Sequence, residues 1–469
     1  MQLYKSVIMI YCVFFSVDSI AQSEAIHSVI SNDSVYVSDS HLIDKHGIDK
    51  HGIDKHVIES HARDSAVVVE TSESDEQDKS DKQSSSATST KELSPEFVAV
   101  PIIFSTETLS TTYGAAGVVK HAGQAQAVAL GIGLYSANDS WLSYAGFYNY
   151  QLPKLDQWLF SAEVFRGHYE EGIYYLPNSS IPEPKINDTN RVISVGDEGF
   201  TKLTMEYVLP IARGKHGAVS ALGKSRDDIS WNPFESGVSS ISLTPFNKYR
   251  ELETLDYLAD EARGVELAFN WDNRDTKQNS SEGGQTNLTI TKGFSVDDDP
   301  SWLMWEFEQS AFVSFDANSW FEQQVLAFNM YLADTPSWND YDSHEHVKRP
   351  PSFAGVSLGG FDRLRGYSSQ QFTGRSAVNY AVEYRVMPQW QPLQALPVFN
   401  LYNIPWWQWA LFIEAGNVTN EFELSALHED MKTNYGVGMR FEVEGIVVRT
   451  DFVTGGEESQ FWVMVNQPF

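Results

Sequence analysis

The stretch "NYAVEYRV" (residues 379–386) has a period of two. Tyr380, Val382, Tyr384 and Val386 share one side, and Asn379, Ala381, Glu383 and Arg385 share the other. An extended strand sends successive side chains to opposite faces, so this stretch sets bulky apolar groups against a charged face. The split recurs nearby. In "GVGMRFEV" (436–443), Val437, Met439, Phe441 and Val443 oppose Gly438, Arg440 and Glu442. In "GIVVRTDF" (445–452), Ile446, Val448, Thr450 and Phe452 oppose Val447, Arg449 and Asp451. From residue 96 to the end the chain is a succession of such runs separated by turn residues, so the fold class is all-β.

Two architectures give this alternation. In a soluble sandwich the apolar face is the core; in a transmembrane antiparallel β-barrel it meets lipid, and the charged face lines the lumen. The barrel is favoured by the number of strands and by an aromatic content of 13% that can supply interfacial girdles. It is also favoured by export. The opening "MQLYKSVIMIYCVFFSVDSIAQS" has Lys5, an apolar run from Val7 to Val17 and the small-residue pattern Ser19-Ile20-Ala21, the order of a signal peptide over residues 1–21. The run is too short to span a bilayer, and no later apolar run is long enough for a helical span. The only cysteine, Cys12, lies in this segment, so the mature chain has none and suits an oxidising compartment.

Residues 22–95 have a different character. "HLIDKHGIDKHGIDKHVIESH" places histidine at 41, 46, 51, 56 and 61, and an acidic, serine-rich run follows. A step of five turns a helical residue by roughly 140° and flips the face of a strand, so no regular structure aligns the histidines as metal ligands. The composition reads as a disordered tether; a metal site or a capping helix are the alternatives. A formal net charge of −30 excludes nucleic acid as a partner, because a polyphosphate needs a basic face. There is no Gly-x-Ser-x-Gly nucleophile elbow, no His-Glu-x-x-His helix and no phosphate-binding P-loop, so neither an enzymatic activity nor a cofactor is expected. "NDYDSHEHVK" (339–348) brings Asp340, Asp342, His344 and His346 close in sequence, but acidic loops of this kind are usually only solvated, and no metal is assigned to it.

"LGGFDRLRGY" (358–367), followed by "TGRSAVNYAVEYRV" (373–386), resembles the signature loop and following strand of the BamA-type outer-membrane β-barrel superfamily, also called the bacterial surface antigen family. That superfamily includes assembly insertases, their TamA-like relatives and two-partner secretion transporters. Gly359, Gly360, Leu364, Arg365, Gly366 and Tyr367 carry the match. "WDNRDTKQNSSEGG" (271–284) and "LFIEAGNV" (411–418) resemble further superfamily motifs in the right order. "QFWVMVNQPF" (460–469), with Phe461, Val463, Val465 and Phe469 on one face, resembles the C-terminal strand signal of bacterial outer-membrane proteins.

The resemblance implies sixteen strands over residues 96–469 and a sixth loop folded into the lumen, fastened by Arg365. A guanidinium offers five donors in a fixed fork, and an inner-wall carboxylate can accept two of them. The superfamily's acceptor is an aspartate in the motif matching "FIEAG"; here Glu414 stands in its place, with Glu383 a rival. In a wet lumen such a contact is worth roughly 1–3 kcal/mol. An ordinary solvated loop arginine is the bland alternative. The resemblance further implies the outer membrane of a Gram-negative bacterium, lipid as surroundings and the barrel-assembly machinery as a biogenesis partner. It also implies protein translocation or membrane insertion, with a protein client or periplasmic partner and room for a homodimer. A small-solute channel or a structural, surface-interaction barrel are the alternative functions. The POTRA modules that usually precede such barrels have no counterpart in the pattern of 22–95, which points to a barrel-only member.

Mature protein is expected to begin near Gln22, and brief proteolysis of the purified chain is expected to remove material up to about residue 95 and spare the rest. N-terminal sequencing and mass spectrometry of the resistant fragment check both. Protection of the histidine repeat without added metal would point to a cap instead.

Overall fold

A computed structural model of the chain describes residues 94–469 apart from 107–108, 178–188, 223–228, 256–258, 298, 397–398, 402, 444–445 and 456–458. The signal peptide and the histidine-repeat tether, except its last two residues, lie outside the described residues. Alternating residues form strands over 379–386, 436–443 and 446–452. In chain order these are β1 (Glu96–Thr106), β2 (Ser110–Lys120), β3 (Val128–Ser136), β4 (Trp141–Tyr150), β5 (Trp158–Pro177), β6 (Thr189–Val208), β7 (Val238–Leu252), β8 (Glu261–Asp272), β9 (Gly283–Gly293), β10 (Trp302–Phe315) and β11 (Phe321–Asp334). The connection 335–375 carries its own hairpin, β12 (Val356–Leu358) with β13 (Phe372–Gly374). The main sheet then resumes with β14 (Ser376–Pro388), β15 (Trp407–Thr419), β16 (Lys432–Val443), β17 (Ile446–Thr454) and β18 (Gln460–Val465). Each strand pairs antiparallel with the next, which makes one sheet of sixteen strands among the described residues.

An even number of antiparallel strands returns the chain to the end where it began. Glu96 and Val465 therefore mark one end of the sheet, the terminal end, and the connection 335–375, the sixth at the opposite end, belongs to the loop end. Faces follow the alternation. On β15, Gln408, Ala410, Phe412 and Glu414 are buried, whereas Trp409, Leu411 and Ile413 are 41%, 58% and 55% exposed. A row of exposed large apolar groups with the charges hidden inverts the order of a soluble protein and is the order of a transmembrane β-barrel, whose outer face meets lipid.

Closure differs from the expectation of a sealed barrel. Among the described residues β1 and β18 are not paired with each other, so each keeps one unpaired edge. β18 stops after six residues, beside a β17 of nine, because the backbone at Asn466 turns into the left-handed region (φ 70). The same bend corrects the reading of the last residues. Phe461 and Val463 belong to β18, which ends at Val465, but Phe469 does not continue the outward face of that strand. It is buried against the inward-facing Phe312, ring centroids 6.4 Å apart, with the Arg385 guanidinium 5.1 Å from its ring.

Because Leu411 sits mid-strand on the outer face, Leu411→Arg is expected to cost about 2–4 kcal/mol, and Thr419→Arg at the strand end about 0–1. Urea titration in lipid vesicles checks this, scored by the faster gel migration of unheated folded barrel over boiled protein.

Candidate functional site

The connection 335–375 does not project from the loop end; it folds into the lumen around an apolar core of its own. Phe353, Ala354, Val356, Leu358, Leu364 and Phe372 pack against wall residues that include Phe246, Trp302, Met304, Tyr331 and Val418. Its tip is a tight return. Gly359 and Gly360 have φ of 106 and 117, Gly360 N donates to the Tyr367 carbonyl at 3.0 Å, and Tyr367 N donates to that of Leu364 at 3.1 Å. A Cβ at Gly359 would run into the Ser368 carbonyl, so the turn admits only glycine there. Gly366 is required for another reason, since a Cβ there would come within 2.6 Å of that of Asn434 on β16.

The two arginines of the tip grip different parts of the wall. Arg363 reaches β10 and β11: its Nη2 donates to Glu308 Oε2 at 2.6 Å, and its guanidinium lies 3.9 Å from the centre of the Tyr331 ring. Beside it is a polar cavity of about 70 Å³ lined by Glu306, Tyr331, Asp362 and Ser369 among others. Arg365, fully buried, turns to β14, β15 and β17. Its Nε donates to Glu414 Oε1 at 3.0 Å, its backbone N donates to Glu414 Oε2 at 2.6 Å, and its Nη1 donates to Asp451 Oδ2 at 2.8 Å. Nη2 stands 2.7 Å from Glu383 Oε1, an ion-pair contact without the alignment of a hydrogen bond. The Phe412 ring lies 3.7 Å beneath the guanidinium, and Trp462 Nε1 donates to the Arg365 carbonyl at 2.8 Å.

Three wall arginines share these carboxylates. Arg385 Nε donates to Glu383 Oε2 at 2.8 Å, Arg440 Nη2 lies 3.0 Å from Asp451 Oδ1, and Arg449 Nε lies 3.6 Å from Asp451 Oδ2. Arg449 also donates to the Phe361 carbonyl of the loop at 2.9 Å. The result is a buried lattice of four guanidiniums and three carboxylates that joins the loop to the wall.

Glu414 and Glu383, read from the sequence as rivals, both contact Arg365. Asp451 is a third partner, which the sequence motifs do not name. The signal was present, since alternation puts Arg440, Arg449 and Asp451 on the charged face, but period two does not say which strands stand opposite the loop. Tyr367 fastens the far side of the tip, its hydroxyl donating to the Gly455 carbonyl at 3.1 Å. The string Gly355-Val356-Ser357-Leu358-Gly359 has the spelling Gly-x-Ser-x-Gly, but Ser357 lies within β12 opposite Thr373, not on the strand-to-helix turn a hydrolase nucleophile needs. In the acidic stretch 339–348, Asp342 Oδ1 accepts the backbone N–H groups of His344 and His346, both at 2.8 Å, and so serves the turn.

Sixteen antiparallel strands in chain order are the arrangement that the sequence motifs imply. The chain resembles BamA-type barrels in fold. No family model and no curated protein matches it. Solved structures similar to it include BamA from Haemophilus ducreyi lacking POTRA domains 1-3, at 11% identity over 80% of this chain and 70% of that one, with a TM-score of 0.46. CdiB from Acinetobacter baumannii is 12% identical over 79% of this chain and 59% of that one, TM-score 0.47. CdiB from Escherichia coli is 12% identical over 79% and 61%, TM-score 0.49. The chain therefore spans about three fifths of the length of the CdiB chains.

The complete burial of Arg365 raises the expected strength of its contacts above the wet-lumen figure. Arg365→Ala leaves three carboxylates short of a partner and is expected to cost about 3–5 kcal/mol of loop docking, with new protease cuts between residues 357 and 373. Arg365→Lys is expected to recover little of this, because a single ammonium cannot serve carboxylates on three strands. Mass spectrometry of limited digests of the folded barrel checks both.

Proposed function

We propose that this chain is an outer-membrane barrel of the BamA type that passes or inserts protein clients, and that the connection 335–375 is its internal plug, fastened by Arg365. The observation that carries the reading is the buried contact of Arg365 with carboxylates on three separate strands. A loop held so firmly inside the lumen does not suit a passive solute pore, which needs the same space open. Among the described residues the outer edges of β1 and β18 are unpaired, which supports handling of protein clients, since backbone donors and acceptors at a sheet edge are what an extended client segment can pair with. The loop end then faces outward from the cell and the terminal end faces the periplasm. In this proposal the chain performs no covalent chemistry and needs no cofactor. Its partners are outer-membrane lipid, the barrel-assembly machinery during biogenesis and one protein client or periplasmic protein, with a second copy of the chain as a further candidate.

Two measurements test the proposal. Comparison of outer-membrane and secreted proteomes with and without the chain is expected to show selective loss of one or a few proteins. In planar bilayers the purified protein is expected to conduct little, and Arg365→Ala to raise or destabilise the current. High basal conductance that Arg365→Ala leaves unchanged, together with unaltered proteomes, would favour a solute channel.

A further inference from the structure

Although its net charge is −30, the chain has no charged side chain between Arg385 and Glu414. That span contains the connection from β14 to β15 at the terminal end, "QWQPLQALPVFNLYNIPW" (389–406). The other long connection at this end, 209–237, is by contrast rich in charge, with Arg213, Lys215, Asp227, Asp228 and Glu235.

The described residues of the uncharged connection lie back along the outside of the barrel. Leu393, Ile404 and Phe399 pack with Trp407, Phe441 and Val448, the outward residues at the terminal ends of β15, β16 and β17. Trp407 and Phe441 are thereby only 3% and 8% exposed, whereas outward residues farther along the same strands, Leu411 and Tyr435, are 58% and 63% exposed. The packing is well defined. Phe399 meets Phe441 edge-on at 5.7 Å, and Trp390 meets Trp407 at 4.9 Å. Some polar groups are satisfied locally: Trp407 Nε1 donates to the Trp390 carbonyl at 2.8 Å, and Gln391 and Gln394 both donate to that of Ile404, at 3.1 and 3.2 Å. What remains outside is Trp390, 59% exposed, Leu396, 46% exposed, and uncharged amides. Trp320 on the adjoining turn, 75% exposed, has its carbonyl bound by Gln389 N at 3.1 Å, and Trp409 on β15 is 41% exposed. Trp390 and Trp409 both meet the Trp407 ring, at 4.9 and 5.7 Å, which joins the connection to the apolar outer face.

We propose that the connection 389–406 is embedded in the membrane leaflet at the terminal end, with Trp390 and Leu396 at the boundary between headgroups and acyl chains. Its partner is lipid. A water-facing connection would be charged, as 209–237 is, and a protein-docking patch would have a polar, charged rim around its apolar centre. Indole side chains favour the interface because one part is apolar and the other donates a hydrogen bond. Irregular backbone is costly in hydrocarbon, and this segment meets that constraint by binding its own carbonyls and by lying at the boundary rather than at the bilayer centre. The inference rests on the transmembrane reading of the barrel.

Site-directed nitroxide labelling of the full chain in phosphatidylcholine vesicles tests it. The single native cysteine is removed as Cys12→Ser, and labels are placed in separate variants at Leu396→Cys, at Leu411→Cys on the strand face and at Lys215→Cys on the charged connection 209–237. All three native residues are exposed, and folding of each variant is checked by unheated gel mobility. Collision with a water-soluble nickel chelate at 396 is expected to be roughly fivefold lower than at 215 and close to that at 411, with oxygen collision high. Equal nickel access at 396 and 215, with 411 shielded, would overturn the leaflet placement and leave the barrel reading standing. Nickel access at 411 as well would overturn the barrel reading, and the placement with it.

Discussion

A guanidinium removed from water must recover its hydration from fixed partners, and at Arg365 those partners come from three strands that are distant in sequence. Glu383, Glu414 and Asp451 can converge on one side chain only if β14 to β17 are paired in the observed register, in which Glu383 stands across from Phe412, and Gly438 across from Asp451. The wall makes room with small residues. A Cβ at Gly438 would collide with the Arg440 guanidinium and the Asp451 carboxylate, and one at Gly436 would meet the Phe412 ring. The loop, its anchor and the register of four strands are thus one mutually dependent arrangement. Removal of one partner is costly because the remaining charges stay buried.

The same logic separates the two faces of the sheet. Charges and amides gather inside, where they pair with the loop and with one another, and the outside is left to Leu411, Ile413, Tyr435 and their like. In water that division would be unstable. In lipid the outer residues need no cover, and backbone groups are satisfied by the neighbouring strand, except along the edges of β1 and β18 that are unpaired among the described residues. The bend at Asn466 that shortens β18 also carries Phe469 to the inner wall, where its ring meets Arg385, which in turn binds Glu383. The last residue of the sequence thereby touches the lattice that contains the loop anchor.

Much was decided by the sequence alone. Period two in 379–386, 436–443 and 445–452 assigned inner and outer faces that hold throughout β14, β16 and β17, because a strand leaves a side chain only two directions. The glycines and Arg365 marked the loop tip, since a left-handed turn and a costly buried charge both leave a local mark. The tertiary structure decided what local rules do not encode. Which carboxylates meet Arg365 depends on strand register and on how deep the loop sits, so Asp451, 86 residues from Arg365 in the chain, became a partner alongside Glu414 and Glu383. Period two also misplaced Phe469, because one backbone bend at Asn466 overrode the alternation. Finally, alternation marks Trp407 and Phe441 as lipid-facing; only the folded chain shows described residues of the connection 389–406 lying over them, because the packing of an irregular connection leaves no periodic signal.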